Sequence, residues 1–215
     1  MIVPSMKLEE VLAEMMSDFD SVTRKSKTMS NLFQKEMFRK KKSHEIRFIT
    51  YKSAHYNEWS VVFRIFKGYI HTAYYIETVC NSGKVAYALE FRNNEKEIWL
   101  MKYNSHFFKR YRERSQPDIT DTAHLIKHFF KYNLDTDLGE SQEFDDGTRL
   151  VQNVTNEGLC IGWEENAKKV VHFKTFLPHH MLSKQQQSLV EYIRTNNDED
   201  LFATNINPNH FKSKF

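Results

Sequence analysis

Few of the residues that mark special classes of protein occur in this 215-residue sequence. It contains two cysteines, six glycines and four prolines. Cys80 and Cys160 lie far apart and form no C-x-x-C pair, which argues against a disulfide scaffold and against a thiolate zinc site. The scarcity of glycine and proline excludes collagen-like and proline-rich chains. Because no run of eighteen apolar residues occurs, the sequence predicts no transmembrane helix.

Several motifs of well-known enzymes and of exported proteins are also missing. The chain has no G-x-x-x-x-G-K-[ST], no G-x-G-x-x-G and no G-x-S-x-G, so nucleotide hydrolysis, dinucleotide redox chemistry and α/β-hydrolase chemistry lack their usual signals. The first residues, "MIVPSMKLEEVLAEMMSDF", do not follow the basic-then-apolar order of a signal peptide. We therefore expect a cytoplasmic protein with no bound cofactor, no bound metal and no membrane contact.

The content that is present is typical of a folded domain with unevenly distributed charge. The chain is 40% hydrophobic and 14% aromatic, which is enough to build a sizeable core. The formal net charge is only +3, yet residues 39–42 read "RKKK" and residues 135–146 carry six carboxylates without a cation. Most charge runs are solvated faces. We expect 135–146 to be an exposed, mobile loop because like charges repel and no apolar stripe interrupts them.

Hydrophobic periodicity predicts an α+β fold with a largely antiparallel sheet. Apolar residues at three- and four-residue intervals predict a helix over 8–19, which Ser5 can cap, and a second helix over 30–41. From residue 44 the pattern changes to β-branched and aromatic runs at 45–51, 58–66, 69–79, 84–91 and 97–103, with short breaks typical of a meander. Helices at 105–114 and 119–132 follow, then strands at 148–155, 158–164 and 169–177 and a helix at 183–196. We treat 1–215 as one domain, in which 1–42 is either part of the fold or a helical arm.

The segment "YNSHFFKRYRERSQP", residues 103–117, is the strongest candidate for chemistry. On a helix that Asn104 or Ser105 caps, Phe107, Phe108 and Tyr111 share one face and dock it on the sheet. His106, Arg110 and Arg114 line a neighbouring face. An imidazole that titrates near neutrality beside guanidinium groups suits a phosphodiester, because histidine can move a proton while arginine holds phosphate oxygens. The alternative is a solvated polar face above an aromatic underside.

The strand at 168–178, "KKVVHFKTFLP", supplies possible partners for this helix. Strand alternation puts Val171, Phe173, Thr175 and Leu177 on one face and His172, Lys174 and Phe176 on the other. His172 and Lys174 would then share an accessible face opposite the basic helix. An ordinary half-buried strand is the alternative. Trp163 is either a base-stacking ring or part of the core.

These two segments resemble the metal-independent ribonuclease toxins of the barnase-like and EndoU-like superfamily. The resemblance covers residues 84–178 and lies in an H-x-x-x-R helix after a strand and in antiparallel strands that end in a "KTF"-type segment. It implies cleavage of RNA by attack of the 2′-hydroxyl on the adjacent phosphate. By this resemblance His106 is a general acid or base, Arg110 stabilises the transition state, and Lys174 or Thr175 contacts the phosphate. The substrate-binding residues we then expect are Arg112, Arg114, His172, Arg39, Lys40 and Lys41.

A second hypothesis from a different class is a non-catalytic module that binds nucleic acid or a protein partner. In such a module the cations of 39–42 and 109–114 contact a polyanion, and His106 takes no part in chemistry. His124 and His128, four residues apart on one helix, have the spacing of a metal-binding pair, but no third ligand is evident. We interpret them as a helix-face pair.

Overall fold

The computed structural model describes residues 1–66, 69–81, 83–92, 97–115, 118–133, 137–139, 144 and 148–203. The helices are Leu8–Arg39 (α1), Ser105–Ser115 (α2), Thr122–Tyr132 (α3) and Lys184–Ala203 (α4). The strands are His44–Lys52 (β1), Glu58–Phe66 (β2), Tyr69–Cys80 (β3), Gly83–Arg92 (β4), Glu97–Tyr103 (β5), Asp137–Gly139 (β6), Thr148–Val154 (β7), Gly158–Glu165 (β8) and Val170–Pro178 (β9). This confirms the predicted α+β class.

The described strands form one nine-stranded sheet in the order β1-β2-β3-β4-β5-β9-β8-β7-β6. The first five strands make the antiparallel meander that their short connections predict. β6 to β9 form a second antiparallel group. β5 and β9 join the two groups as a parallel pair, with Met101 opposite Val171. The helices α2 and α3 lie in the long connection between the two groups.

The N-terminal region is one helix of 32 residues, so the prediction of two separate helices is wrong. The apolar stripe continues through the predicted break at Val22, and Ser26 is tolerated on the buried face because its hydroxyl bonds the Tyr74 hydroxyl at 2.9 Å. Ser5 does not cap this helix. At its start the Glu10 carboxylate accepts a hydrogen bond from the backbone N–H of Lys7 at 2.6 Å.

A buried carboxylate anchors α1 to the β1–β2 hairpin. Asp18 is 2% exposed and accepts hydrogen bonds from the Asn57 amide at 2.7 Å and the Trp59 indole at 3.1 Å. Burial by itself would raise the pKa of Asp18, but these hydrogen bonds and the nearby His55 outweigh it, so the pKa is lowered. These hydrogen bonds fix the helix to the sheet.

The acidic segment is only partly covered by the structure. Asp137–Gly139 pairs with Gln152–Val154 of β7, so the expectation of a mobile loop is wrong for these three residues. The pairing uses backbone groups at an otherwise open sheet edge, and such bonds do not depend on side-chain charge. Residues 135–136, 140–143 and 145–146 of the predicted loop lie outside the described residues.

The two faces of the sheet carry different helices. α2 and α3 pack on one face through a cluster rich in aromatic rings, which includes Met101, Val171 and Phe173. α1 packs on the other face over residues that alternate with these, such as Leu100 and Val170. α4 covers Leu159, Ile161 and Leu177 on that same face, farther along the sheet. No helix in the described part of the chain is long and apolar enough to span a membrane.

The sheet curls around α2 and α3. The ends of β1 and β2 border the same cavity as the β7–β8 turn, although six strand positions separate β2 from β7, a distance of roughly 29 Å in a flat sheet. Arg92 of β4 also reaches Glu164 of β8, with Nη1 to Oε2 at 2.9 Å, across two intervening strands. The curl brings the first strands close to the β7–β8 turn, and this proximity forms the cleft described below.

Candidate nucleic-acid interface

The aromatic face of α2 anchors the helix as its spacing predicts. Phe107, Phe108 and Tyr111 are completely buried, and Phe107 packs edge-on against Tyr103 of β5 with ring centroids 5.1 Å apart. Of the two predicted caps, Asn104 is the one that acts: its side-chain oxygen accepts a hydrogen bond from the Phe107 N–H at 2.8 Å. The cations of the segment therefore lie on the outer side of the helix or at its C-terminal end.

Most of the α2 cations are bound to the protein itself. Arg114 donates from Nη1 to the Thr175 hydroxyl at 3.1 Å and to the Phe176 carbonyl at 2.5 Å. Arg112 donates to the Thr122 hydroxyl at 3.0 Å. Arg110 pairs with Glu113 of its own helix at 3.1 Å. Arg112 and Arg114 thus hold neighbouring elements together, whereas Arg110 and the exposed His106 remain at the surface.

His172 and Lys174 lie in a different environment from His106 and Arg110. Val171 and Phe173 pack toward α2, so strand alternation places His172 on the opposite face of the sheet. Its ring stacks on Trp163 with centroids 4.9 Å apart, and Lys174 Nζ lies 3.8 Å from the centroid of the same indole. Burial lowers the pKa of His172, although Glu165 at 2.9 Å acts against this.

The structure therefore does not bring His106 and Arg110 into one cleft with His172 and Lys174, while Thr175 contacts Arg114 of α2. The sheet lies between the α2 residues His106 and Arg110 and the face that carries His172. The second half of the β9 face prediction is also wrong, because Phe176 is buried on the α2 side and Leu177 packs under α4. The cause is a β-bulge: Ile161 pairs with Thr175 and Gly162 with Phe173, so Lys174 is an extra residue that shifts the alternation.

The basic run at the end of α1 is exposed, as a binding surface requires. Arg39, Lys40 and Lys41 are all exposed, and the ring beside them, Phe38, is 87% exposed. Lys40 pairs with Glu36 at 2.6 Å. Among the described residues none forms an ion pair with Arg39 or Lys41. An aromatic ring this open to solvent within a row of cations is an unusual feature, because large apolar side chains are normally covered.

A cleft of about 500 Å³ lies next to this basic run, and we call it the His44 cleft. Its walls come from the start of β1, the end of β2, the end of α3 and the β7–β8 turn. The lining residues are His44, Glu45, Ile46, Arg64, Ile65, Lys131, Tyr132, Asn156 and Glu157. Lys42 of the basic run contacts the rim, since its Nζ pairs with Glu45 at 2.7 Å. The cleft thus combines two cations, a half-open tyrosine ring and the two carboxylates of Glu45 and Glu157 from distant parts of the chain.

A hydrogen-bond network orients the carboxylate of Glu157 in this cleft. Its Oε2 accepts from the Tyr111 hydroxyl at 2.5 Å and from the Asn133 amide at 2.8 Å. The backbone N–H of Glu157 donates to Asn133 Oδ1 at 3.1 Å. Burial, and to a smaller extent Glu157, raises the pKa of Tyr111 well above its ordinary value, so the hydroxyl keeps its proton and donates a hydrogen bond to the carboxylate.

His128 completes this network from behind. Its Nδ1 lies 2.9 Å from the Tyr111 oxygen, and because the single Tyr111 proton points to Glu157, Nδ1 must be the donor in this pair. Burial lowers the pKa of His128, while Glu157 raises it to a smaller extent. The ring also lies 4.5 Å from Tyr132 of the cleft wall. His128 and His124 therefore do not face a common metal site: His128 contacts Tyr111, and His124 Nδ1 lies 3.4 Å from Asp121 Oδ1.

Sequence reasoning finds only the basic margin of this interface. Arg39, Lys40 and Lys41 stand out as a charge run, but nothing near Arg64, Lys131 or Glu157 forms a recognisable motif. In the sequence, Asn156 and Glu157 are simply the short break between the strands predicted at 148–155 and 158–164. Comparison with protein-family models, with curated proteins and with solved structures found no match to this chain.

Proposed function

We propose that this protein binds single-stranded RNA along a surface that runs from the basic end of α1 into the His44 cleft. The observation that carries the proposal is the exposed ring of Phe38 among Arg39, Lys40 and Lys41 at the margin of a nucleotide-sized cleft. Proteins that hold single strands combine a cationic track for the backbone with aromatic rings on which bases stack. The surface offers both features together.

The charges of the surface suit a chain of phosphates. Arg64 and Lys131 line the cleft, and Lys42 lies at its rim, so the cationic track continues from the helix end into the cavity. Lys40 and Lys42 pair with Glu36 and Glu45 at the exposed surface, where an ion pair contributes little and a phosphate can compete for the cation. Counterion release then makes binding dependent on salt.

The rings and the size of the cleft suit single nucleotides rather than a duplex. Tyr132 is 39% exposed at the wall, where Lys131 Nζ lies 4.9 Å from its ring centroid, and Phe38 is open on the outside, so two exposed rings border the cations. A volume of about 500 Å³ lies within the range of small-molecule sites and has room for one nucleotide. RNA cleavage, which the ribonuclease resemblance implies, stays a prediction. The residues expected to catalyse it do not line this cleft: His106, Arg110, Lys174 and Thr175.

Charge reversal tests the proposal. We expect Arg39→Glu with Lys41→Glu to weaken binding of a short single-stranded RNA at least tenfold. We also expect the slope of log affinity against log salt to fall by about 1.4, since each phosphate contact on a single strand contributes about 0.7. Fluorescence anisotropy of a labelled oligomer, measured at salt concentrations from about 50 to about 200 mM, gives both quantities.

The matched control is Lys7→Glu at the opposite end of the same helix, about 48 Å away for 32 residues at 1.5 Å each. Lys7 is exposed, so this control introduces the same kind of charge change without touching the cleft. Lys7→Glu changes the net charge by −2, half of the −4 of the double variant. If the control lowers the logarithm of the affinity by half as much as the double variant or more, the effect is one of net charge and the proposed surface is wrong. Phe38→Ala should weaken binding further without changing the salt slope, because stacking involves no counterion.

A further inference from the structure

The most specific group in the His44 cleft is an oriented carboxylate, and a carboxylate is an unexpected group in a site for phosphates. Glu157 is held by Tyr111 and Asn133 through Oε2, and its backbone N–H is fixed by Asn133. Its carbonyl also accepts from the backbone N–H of His179 at 3.3 Å. These contacts come from three different elements, so the side chain has little freedom to turn away from the cleft.

The second oxygen of this carboxylate is left for a ligand. None of the described residues donates a hydrogen bond to Oε1 of Glu157, whereas Oε2 receives two. An ionised carboxylate only accepts hydrogen bonds. The part of a ligand that lies against Glu157 must therefore be a donor, and it cannot be a phosphate, because two negative groups in contact repel each other.

The other groups of the cleft indicate which donor it is. Arg64 and Lys131 suit a phosphate, and the Tyr132 ring suits the face of a base. In a nucleotide the sugar lies between these two parts, and its 2′-hydroxyl is a donor that only RNA has. Carboxylates bind ribose hydroxyl groups in this manner in dinucleotide-binding proteins. The arrangement thus distinguishes ribose from deoxyribose by one hydrogen bond.

We propose that Glu157 accepts a hydrogen bond from the ribose 2′-hydroxyl of a nucleotide bound in the His44 cleft, and that the protein thereby selects RNA over DNA. This inference rests on the proposed function and adds the substrate class to it. Glu157 is the specificity residue, while Tyr111 and Asn133 are positioning residues that act through it. The basic run supplies affinity that is equal for both nucleic acids.

The experiment compares three oligomers of identical sequence: RNA, DNA, and RNA with 2′-fluoro groups, which keep an acceptor at the 2′ position but remove the donor. For the wild-type protein we expect RNA to bind about tenfold more tightly than either of the others, which corresponds to about 1.4 kcal/mol. Glu157→Gln should reduce this ratio to less than about threefold, since a charge-assisted bond becomes a neutral one. The affinity for DNA should stay the same or rise, because a negative charge leaves the cleft.

Glu113→Gln is the matched control, because Glu113 is an exposed carboxylate on α2 that pairs with Arg110 and does not line the cleft. It should leave the ratio of RNA to DNA affinity unchanged. The wild-type comparison with 2′-fluoro RNA needs no variant, so the inference stays testable even if Glu157→Gln does not fold. Equal, salt-dependent binding of all three oligomers would overturn this inference and leave the proposed function in place. Absence of binding to any of them would overturn both.

Discussion

At the scale of single residues, α2 separates stability from surface chemistry by face. Phe108 is completely buried among aromatic rings, whereas the Arg110 side chain is 41% exposed and pairs with Glu113 of its own helix. We expect Phe108→Ala to cost roughly 3–5 kcal/mol of unfolding free energy, because it leaves a cavity in a packed core. Arg110→Ala should change stability by less than about 0.5 kcal/mol. Urea denaturation measures both, and a large loss in the arginine variant would contradict this assignment of faces.

At the scale of elements, Arg114 connects two of them, although the sequence predicts an exposed side chain at this position. A position in a charge run predicts a solvated side chain, yet Arg114 joins the end of α2 to β9 through Thr175 and the Phe176 carbonyl. Hydrogen bonds that involve a charged group stabilise a fold by about 1.5–3 kcal/mol, so Arg114→Ala should cost about that much.

Arg114→Lys separates charge from geometry at this junction. Lysine keeps the positive charge but lacks the planar fork, so we expect it to recover only part of the lost stability. Chemical denaturation of the two variants beside Arg110→Ala gives the comparison. If both Arg114 variants match the wild-type stability, the hydrogen bonds to β9 contribute nothing and the helix is held by its aromatic face alone.

At the scale of the whole molecule, a cluster of four charged side chains, three of them largely buried, spans the curled sheet. Arg92 of β4 pairs with Glu90 of the same strand at 3.4 Å and with Glu164 of β8 at 2.9 Å, and Arg149 of β7 lies 3.5 Å from Glu164. Burial raises the pKa of Glu90 to about 7, although Arg92 acts in the opposite direction. The two carboxylates and the two guanidinium groups thus come from both halves of the sheet. Because folding changes the pKa of Glu90, the stability of the fold depends on the protonation of this carboxyl group.

This linkage predicts a pH dependence with a defined sign. The pKa of Glu90 is higher in the folded protein than its ordinary value of 4.5, so the folded state holds the proton more tightly. The stabilisation that Glu90 contributes to the folded state is complete below about pH 4.5 and is lost as the pH rises through about 7. The free energy of unfolding falls by up to about 3 kcal/mol over this range. Thermal unfolding of Glu90→Gln should show a weaker decline in stability between these values than the wild type. An identical decline would show that Glu90 is not the group that titrates.

Local patterns in the sequence determined the class of this protein and most of its elements. Period-two runs mark β1 to β5 and β7 to β9, and spacing of three and four residues marks the aromatic anchor of α2, because side-chain direction in strands and helices depends only on neighbouring residues. The three-residue β6 escaped this reasoning, since its pairing depends on an open sheet edge and its sequence is acidic.

The His44 cleft was decided by the tertiary structure alone. Arg64, Lys131 and Glu157 meet because the sheet curls until β2, the end of α3 and the β7–β8 turn border one cavity. A bulge at Lys174 likewise reversed the β9 faces beyond it. Both features arise from contacts between residues far apart in the chain, and periodicity carries no information about such contacts. The basic run could be seen in the sequence, but the cleft beside it exists only when the sheet has closed around α2 and α3.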